Sequence, residues 1–582
     1  MQYRRLAEAY ARIESTSGLL EKTEVFSSLL REAEPAEVSP VIALTMGKLH
    51  PDWMGAPEIG VAEKMAIQVV ATAASVAETI VREKLRRTGD IGAAAEELLS
   101  QAAQGTLSEE ETTVSFVYGT LDAASKASGQ GSGKEKIAKL VGLVSSTTPL
   151  EAKYILRTVT GDLRLGMGDM IIVDSLAAAY VGDKSASEEI ERAFNVCSDL
   201  AYVADLLARR GIEAVRSVKT EVGTPIRMMA AKKLSSSSEI LERLHHKALV
   251  EFKYDGERVQ IHKNGNQIVL FSRRQERITD QYPDVVELVR KSVRANRCVI
   301  EGECVAIDLT TGKMRPFQEL MRRRRKTDID TMKDSVPVAL FFFDILYLED
   351  KDVTELPMLE RRSLLEKVVK TSDRVSLTNG ELIDDPDRLD EFFKGALDRG
   401  VEGIIAKAIH KESSYQAGSR SWLWVKMKPS YQGLSDALDL VVVGAIYGRG
   451  KRTGVYGAIL ASVYDPDSDT YPTACKIGTG FTEEMLTEFK QRLEKHVVER
   501  RHPKVLADIK ADVWFDPQVV IEVIGDQITG SPTHPAGRGR IRIGGLAVRF
   551  PRFTGRWRDD KAPTQATTVD DLVDMFESQR GR

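Results

Sequence analysis

Apolar residues recur every three to four positions through the first 220 residues, a stretch rich in Ala, Leu, Glu and Lys with few strand-like alternations. That period puts the apolar side chains on one helix face, so the region is predicted to be all-helical. One helix start is clearly marked. Thr148-Pro149-Leu150-Glu151 supplies an N-cap, a first-position proline and an acid three residues past the cap, ahead of AKYILRTV. The Gly/Ser-rich KASGQGSGKEK, Lys126 to Lys136, reads as a loop between helices. After about Thr224 the pattern changes to short β-branched runs punctuated by Asp-Gly, Asn-Gly and Pro, with helices between them. A second change follows Lys428-Pro429, where LDLVVVGAIYG, YGAILASVYD, ACKIGTG and PQVVIEVIG form the strands of a small barrel, and Thr568 to Gln579 is helical again.

A chain of 582 residues is too long for one hydrophobic core. The pattern predicts three domains: residues 1–224, all-α; 225–429, α/β on antiparallel sheet; and 430–582, a β-barrel with a C-terminal helix. No apolar run approaches the roughly 20 residues that a membrane span needs, and MQYRRLAEAYARIE has no apolar core of a secretory signal. A soluble, cytoplasmic monomer without membrane contact is expected. The four cysteines, at 197, 298, 304 and 475, lack metal-ligand spacing and read as reduced thiols, with Cys298 and Cys304 as packing residues in a strand. A net charge of -4 gives no support for a nucleic-acid partner, yet the charge is uneven. Met321-Arg322-Arg323-Arg324-Arg325-Lys326 is densely cationic and further Arg and Lys cluster from Arg538 to Lys561. The default reading of any one such run is a solvated surface.

The segment ALVEFKYDGERVQIHKNGNQIVLFSRR reads as three antiparallel strands with turns at Asp255-Gly256 and Asn264-Gly265. Alternation puts Leu249, Glu251 and Lys253 on one face and Val250, Phe252 and Tyr254 on the other. Covalent chemistry at a lysine needs the neutral amine, which desolvation and nearby positive charge favour, and Arg258 lies just past the turn. The ordinary alternative is an exposed strand lysine paired with Glu251, and Lys253-Tyr254-Asp255-Gly256 alone does not decide between the two.

Further elements follow in order: Phe271-Ser272-Arg273-Arg274, Glu301-Gly302-Glu303, the run Phe341 to Tyr347, Glu402-Gly403-Ile404-Ile405-Ala406-Lys407, and Trp422 to Lys428. With these the chain resembles the nucleotidyltransferase superfamily of polynucleotide ligases and capping enzymes, and within it the ATP-dependent DNA ligases of archaeal and eukaryotic replicative type. The resemblance covers nearly the whole chain and implies an adenylation domain followed by an OB-fold barrel. It implies that Lys253 carries AMP, that Glu251 contacts adenine and that Phe343 stacks on the base. Arg258, Arg273 and Glu303 would hold the ribose and phosphate region, and Lys407, Arg420 and Lys426 would gather around the phosphates. Glu303 and Glu402 would hold magnesium, with manganese able to replace it; oxygen ligands and retained waters suit that ion. In the barrel, Arg558-Asp559-Asp560-Lys561 matches the family's R-x-D-K motif, so Arg558 and Lys561 would orient the leaving pyrophosphate.

Capping enzymes lack a large helical N-terminal domain of this kind. TPLEAKYILRTVTGDLRLGMGD and VCSDLAYVADLL resemble the DNA-binding domain of replicative ligases, with Lys153, Arg157 and Arg164 as candidate phosphate contacts. GTPIRMMAAKK, Gly223 to Lys233, resembles the linker into the catalytic core, although Met228 and Ala230 stand where relatives commonly carry Pro and Leu. The implied substrate is nicked double-stranded DNA, in replication, repair and recombination. A sliding clamp is a partner by family, though Thr23 to Leu30 is a poor clamp-binding match. The rivals are an RNA ligase or capping enzyme, and a catalytically dead scaffold that encircles DNA.

Overall fold

The computed structural model describes all residues except 103–111, 130, 183, 325–334, 429–436, 449–451, 542–543 and 581–582. It separates into two compact units, one of residues 1–69 and 105–429, the other of residues 70–104 and 430–582. Among the described residues no single helix is long and apolar enough to cross a membrane.

The first unit opens with helices that continue to Ile212–Arg216. The marked start behaves as its sequence demands: Thr148 Oγ1 accepts from the Glu151 N–H and the Glu151 carboxylate accepts from the Thr148 N–H at 2.8 Å, launching the helix Pro149–Val159. The polar stretch before it is only partly loop, because a helix begins at Ser132 and absorbs Gly133 to Lys136.

Two sheets follow. In chain order the strands are β1 (Ala230–Lys233), β2 (Ala248–Lys253), β3 (Glu257–Asn264), β4 (Gln267–Ser272), β5 (Arg297–Ala306), β6 (Val338–Leu348), β7 (Lys351–Asp352), β8 (Val375–Leu377), β9 (Gly380–Ile383), β10 (Gly403–Ala408) and β11 (Arg420–Met427). One sheet has the order β1-β11-β10-β2-β9; the other runs β4-β3-β5-β6-β7, with β8 on β6. The Asn264-Gly265 turn is a tight hairpin, with Asn264 opposite Gln267 and Gly265 at a φ of 58°. Asp255-Gly256 is not. There the chain leaves the first sheet and enters the second, so β2 and β3 are not partners and the predicted three-stranded unit is corrected. Glycine is required at the crossing because a Cβ on Gly256 would lie 2.2 Å from the Cys304 carbonyl oxygen.

On the face of the first sheet away from Glu251 and Lys253, Val250, Phe252 and Ile404 pack against Leu241, Leu389 and Phe392 of two helices, and Ile226, Met229, Val299, Leu346 and Trp424 form a second cluster. The linker is therefore core rather than tether. Gln260 bonds both the N–H and the carbonyl of Ile226, and the Met229 N–H donates to the Tyr415 hydroxyl at 2.9 Å. The run from Met321 is not uniformly solvated either: Arg323 is buried against Asp284 at 2.8 Å, while residues 325 and 326 lie outside the described ones. All four cysteines are free and buried.

The second unit contains the helices Glu78–Thr88 and Ile91–Ala102. Its strands are β12 (Leu438–Tyr447), β13 (Tyr456–Ser462), β14 (Tyr471–Ile477), β15 (Val497–Val498), β16 (Val505–Leu506), β17 (Val513–Ile524), β18 (Gln527–Ser531), β19 (Gly545–Arg549) and β20 (Arg552–Trp557). The main sheet has the order β15-β17-β12-β13-β14-β16, with β20 on β17, a sheet-rich half-barrel consistent with the OB type. Its core takes Leu440, Val442, Ile459, Phe489, Phe515 and Val523, together with Leu572 and Phe576 of the helix Val569–Arg580.

Candidate functional site

The two sheets of the first unit enclose a cavity of about 220 Å³. On β2 and its neighbours, Lys253 stands opposite Gly403, Glu251 opposite Ile405, and Leu249 opposite Lys407; on the far side of β10, Lys426 and Trp424 pair with Ile405 and Lys407. Strict alternation then delivers Glu251, Lys253, Lys407, Trp424 and Lys426 to the cavity face.

Glu251 and Lys253 share that face as predicted, yet they do not pair. Lys253 forms an ion pair with Glu402, whose other oxygen takes Lys428, and the Glu402 N–H donates to the Lys253 carbonyl at 2.8 Å. Glu251 is buried, and its carboxylate takes Lys407 at 2.6 Å, Arg362 at 2.5 Å and Thr378 at 2.6 Å. Arg362 and Thr378 lie outside every motif that the sequence singles out. Their only signal is a buried acid short of partners, and Arg362 meets it from 111 residues away.

Electrostatics around Lys253 favour a reactive amine. Burial holds its pKa below the ordinary lysine value; Glu303 and Asp255 oppose the shift, and Arg258 and Arg273 reinforce it. Burial likewise pushes Glu303 up to about 7, against the pull of Lys253 and Arg258. Arg258 is fixed by Glu301 at 2.7 Å and the Met229 carbonyl at 2.6 Å, while its buried Nε has no partner.

Phe343 reaches the cavity through a β-bulge. Glu301 pairs with Asp344 and Gly302 with Phe342, so Phe343 is the extra residue and turns away from the core. Its two neighbours go elsewhere: Phe342 is fully buried, and Phe341 stacks on Tyr254 with ring centroids 3.9 Å apart. Arg258 lies 5.2 Å from the Phe343 ring centroid and Lys407 lies 5.0 Å from it. Lys407 is fully buried between Phe343 and Trp424, at the Glu251 end of the cavity. Arg273, Arg420 and Lys426 line the cavity with Lys253. Burial and then the charges of Lys253, Arg420, Arg273 and Lys233 lower the Lys426 pKa, which marks these five cations as one cluster. Lys233 enters it from β1, opposite Lys426; it ends the linker segment Gly223 to Lys233, and no site role was expected of it.

Arg558 and Lys561 belong to the second unit, where both are held by Asp439, at 2.7 Å and 2.6 Å. Of the expected phosphate contacts in the helical region, Arg157 is corrected: it is buried in a two-pronged bond to Glu14, with both contacts at 2.9 Å. Lys153 reaches the same acid at 3.3 Å, and Arg164 pairs with Asp162 at 2.8 Å.

A desolvated amine beside a cluster of cations, with an aromatic wall and a buried acid at the far end, is equipped to take a nucleotide covalently. That is the class of a lysine-dependent nucleotidyltransferase. Comparison narrows it. Residues 2–177 match the DNA ligase N terminus, 228–428 the ATP dependent DNA ligase domain, and 452–561 the ATP dependent DNA ligase C terminal region. The chain is 47% identical over 590 residues to DNA ligase 2 of Thermofilum pendens, covering 100% of this chain and 98% of that one. It is 43% identical to the DNA ligase of Staphylothermus marinus, covering 100% and 99%. A solved structure named Pmar-Lig_PreS3 shares the fold, with a TM-score of 0.54 at 17% identity, covering 95% of this chain and 99% of that chain. The chain belongs to the ATP-dependent DNA ligase family; it is an enzyme that uses ATP to join DNA.

Proposed function

We propose that this ligase seals nicks in duplex DNA by three transfers whose first nucleophile is Lys253. The Lys253 amine attacks the α-phosphate of ATP, a phosphoramide bond forms and pyrophosphate leaves. The 5′-phosphate at the nick then takes the AMP and frees the lysine, and the 3′-hydroxyl displaces AMP to make the phosphodiester. The observation that carries this reading is the desolvated Lys253 amine among Arg273, Arg420 and Lys426 on the cavity wall. Transfers of this kind depend on positioning and charge neutralisation more than on proton chemistry.

In this reading Phe343 is the platform for adenine and Glu251 the acceptor for its edge. Arg258, Arg273 and Glu303 hold the ribose and α-phosphate, and Arg420 and Lys426 the outer phosphates. Lys407 acts by fixing Glu251. Arg558 and Lys561 orient the pyrophosphate. Among the described residues no set of three His, Cys, Asp or Glu could hold a metal, so a protein-only cage is absent there. One carboxylate with waters and phosphate oxygens is the coordination that magnesium favours. Glu303 fits it as an oxygen donor lining the cavity beside Lys253, where a bound cation would favour the ionised form that burial opposes. Glu402 would join once freed from Lys253 and Lys428. Magnesium, or manganese in its place, would supply neutralisation of the phosphate oxygens.

The functional division we propose is a DNA-binding domain, 1–224, an adenylation domain, 225–429, and an OB-fold domain, 430–582, in a cytoplasmic monomer that acts with a sliding clamp. Mass spectrometry after incubation with ATP and magnesium tests the core of this reading. A single AMP adduct on the wild type and none on Lys253→Ala is expected; an adduct on the alanine variant would overturn it.

A further inference from the structure

Asp439 is the second residue of β12 and is 7% exposed. Its backbone is pinned at both ends of the residue: the N–H donates to Thr567 Oγ1 at 3.0 Å, and the carbonyl accepts from the Thr567 N–H at 2.9 Å. Both oxygens of its carboxylate accept from Arg558 Nη1, at 2.7 and 2.8 Å, and one also accepts from Lys561 Nζ at 2.6 Å. The outer edge of Arg558 is bracketed by Asp560, through Nε at 2.9 Å and Nη2 at 2.8 Å.

We infer that Asp439 is a positioning residue for self-adenylation, presetting Arg558 and Lys561 for the pyrophosphate leaving group. This rests on the role proposed above for the R-x-D-K motif. Two cations and the carboxylates of Asp439 and Asp560 together carry no net charge, so the group attracts an anion through aimed donors rather than through a long-range field. Of the five N–H donors on a guanidinium, these bonds leave at least one, on Nη2. An ammonium held by one acceptor keeps two. Donors already aligned need no reordering as charge develops on the leaving group. A carboxylate that is buried, doubly engaged and fixed through its own backbone is what alignment requires.

The test uses the full-length protein and separates the steps. Single-turnover formation of the AMP adduct from ATP and magnesium reads the first step; sealing of a nick with a pre-adenylated 5′ end bypasses it. Asp439→Asn should slow adduct formation at least tenfold at saturating ATP and leave pre-adenylated sealing within threefold of wild type. Arg558→Met should slow adduct formation to a similar extent, and the double variant should be no slower than Arg558→Met alone. If the amide variant does not fold, Asp439→Glu, which displaces the carboxylate by one methylene, should show the same tenfold split between the steps. Adduct formation within threefold of wild type in a folded Asp439 variant, or both steps falling together, would overturn the inference. Should Arg558→Met itself leave adduct formation unchanged, the motif's role fails first; should it slow the step while Asp439→Asn does not, only the role of Asp439 fails.

Discussion

Gly256 packs against Cys304 so closely that a Cβ on it would lie 2.2 Å from the Cys304 carbonyl oxygen and 3.0 Å from Glu303 Cγ. The contact sits where the chain passes from one sheet to the other, three residues after Lys253. Gly256→Ala must push β3 from β5, and β3 carries Arg258 while β5 carries Glu303. The backbone oxygen cannot move aside as a flexible side chain could. We expect a loss of about 3 kcal/mol of stability, at the upper end of overpacking costs, together with self-adenylation slowed by about a hundredfold. Chemical denaturation and adduct formation check the two.

That contact also shows what the sequence could and could not disclose. Asp255-Gly256 reads as a hairpin because the dipeptide favours tight turns; the glycine in fact serves close approach, and nothing local distinguishes those uses. Where local rules suffice, the reading holds. Alternation sets Glu251 and Lys253 on one face, the capping box starts its helix at Thr148, and Asn264-Gly265 makes a true hairpin. Phe343 needed a bulge to reach the cavity, and a bulge is a property of two paired strands. The partners of Glu251 arrive from Lys407, Arg362 and Thr378, which are distant in sequence and identifiable only by where the fold brings them.

The pH dependence of self-adenylation follows from two groups. The reactive form of Lys253 is the neutral amine, whose fraction rises with pH and, because burial lowers its pKa, is reached below the ordinary lysine range. Glu303 acts as a carboxylate; burial delays that form to a pH of about 7, and the cation it would hold brings it on at lower pH. Single-turnover adduct formation should therefore rise with pH through neutrality and level off before free lysine would deprotonate. Arg273→Ala removes a charge that lowers the Lys253 pKa, so the plateau should move to higher pH; a shift to lower pH would contradict the arrangement.

Arg362 and Thr378 share Oε1 of Glu251, while Lys407 takes Oε2. Hydrogen bonds to a charged group contribute about 1.5–3 kcal/mol, so Arg362→Met should raise the KM for ATP by about tenfold. With Glu251 less well held, discrimination between ATP and GTP should fall as well. Adduct formation across ATP concentrations, repeated with GTP, checks both. An unchanged KM would mean that Lys407 and Thr378 suffice to hold the acid.

Arg157 separates stability from DNA binding in the helical region. Its guanidinium is buried on Glu14, and Tyr154 donates to the same carboxylate at 2.8 Å. Burial alone would raise the Glu14 pKa; the bonds from Arg157 and Tyr154, with the charges of Arg157 and Lys153, outweigh it and bring the value to about 2 from an ordinary 4.5. A depressed acid contributes stability that is fully present above its unfolded value and is lost as pH falls through its folded one, here between about 4.5 and about 2. Arg157→Met should cost about 2 kcal/mol at neutral pH, less than a fully buried pair would because Glu14 is partly wet. The cost should shrink across that acid window. DNA binding should keep its salt dependence, since each phosphate contact adds about one unit to the slope of log affinity against log salt and Arg157 is not available to make one. A slope reduced by about one in the variant would restore Arg157 to the DNA surface and show that the Glu14 pair opens when DNA binds.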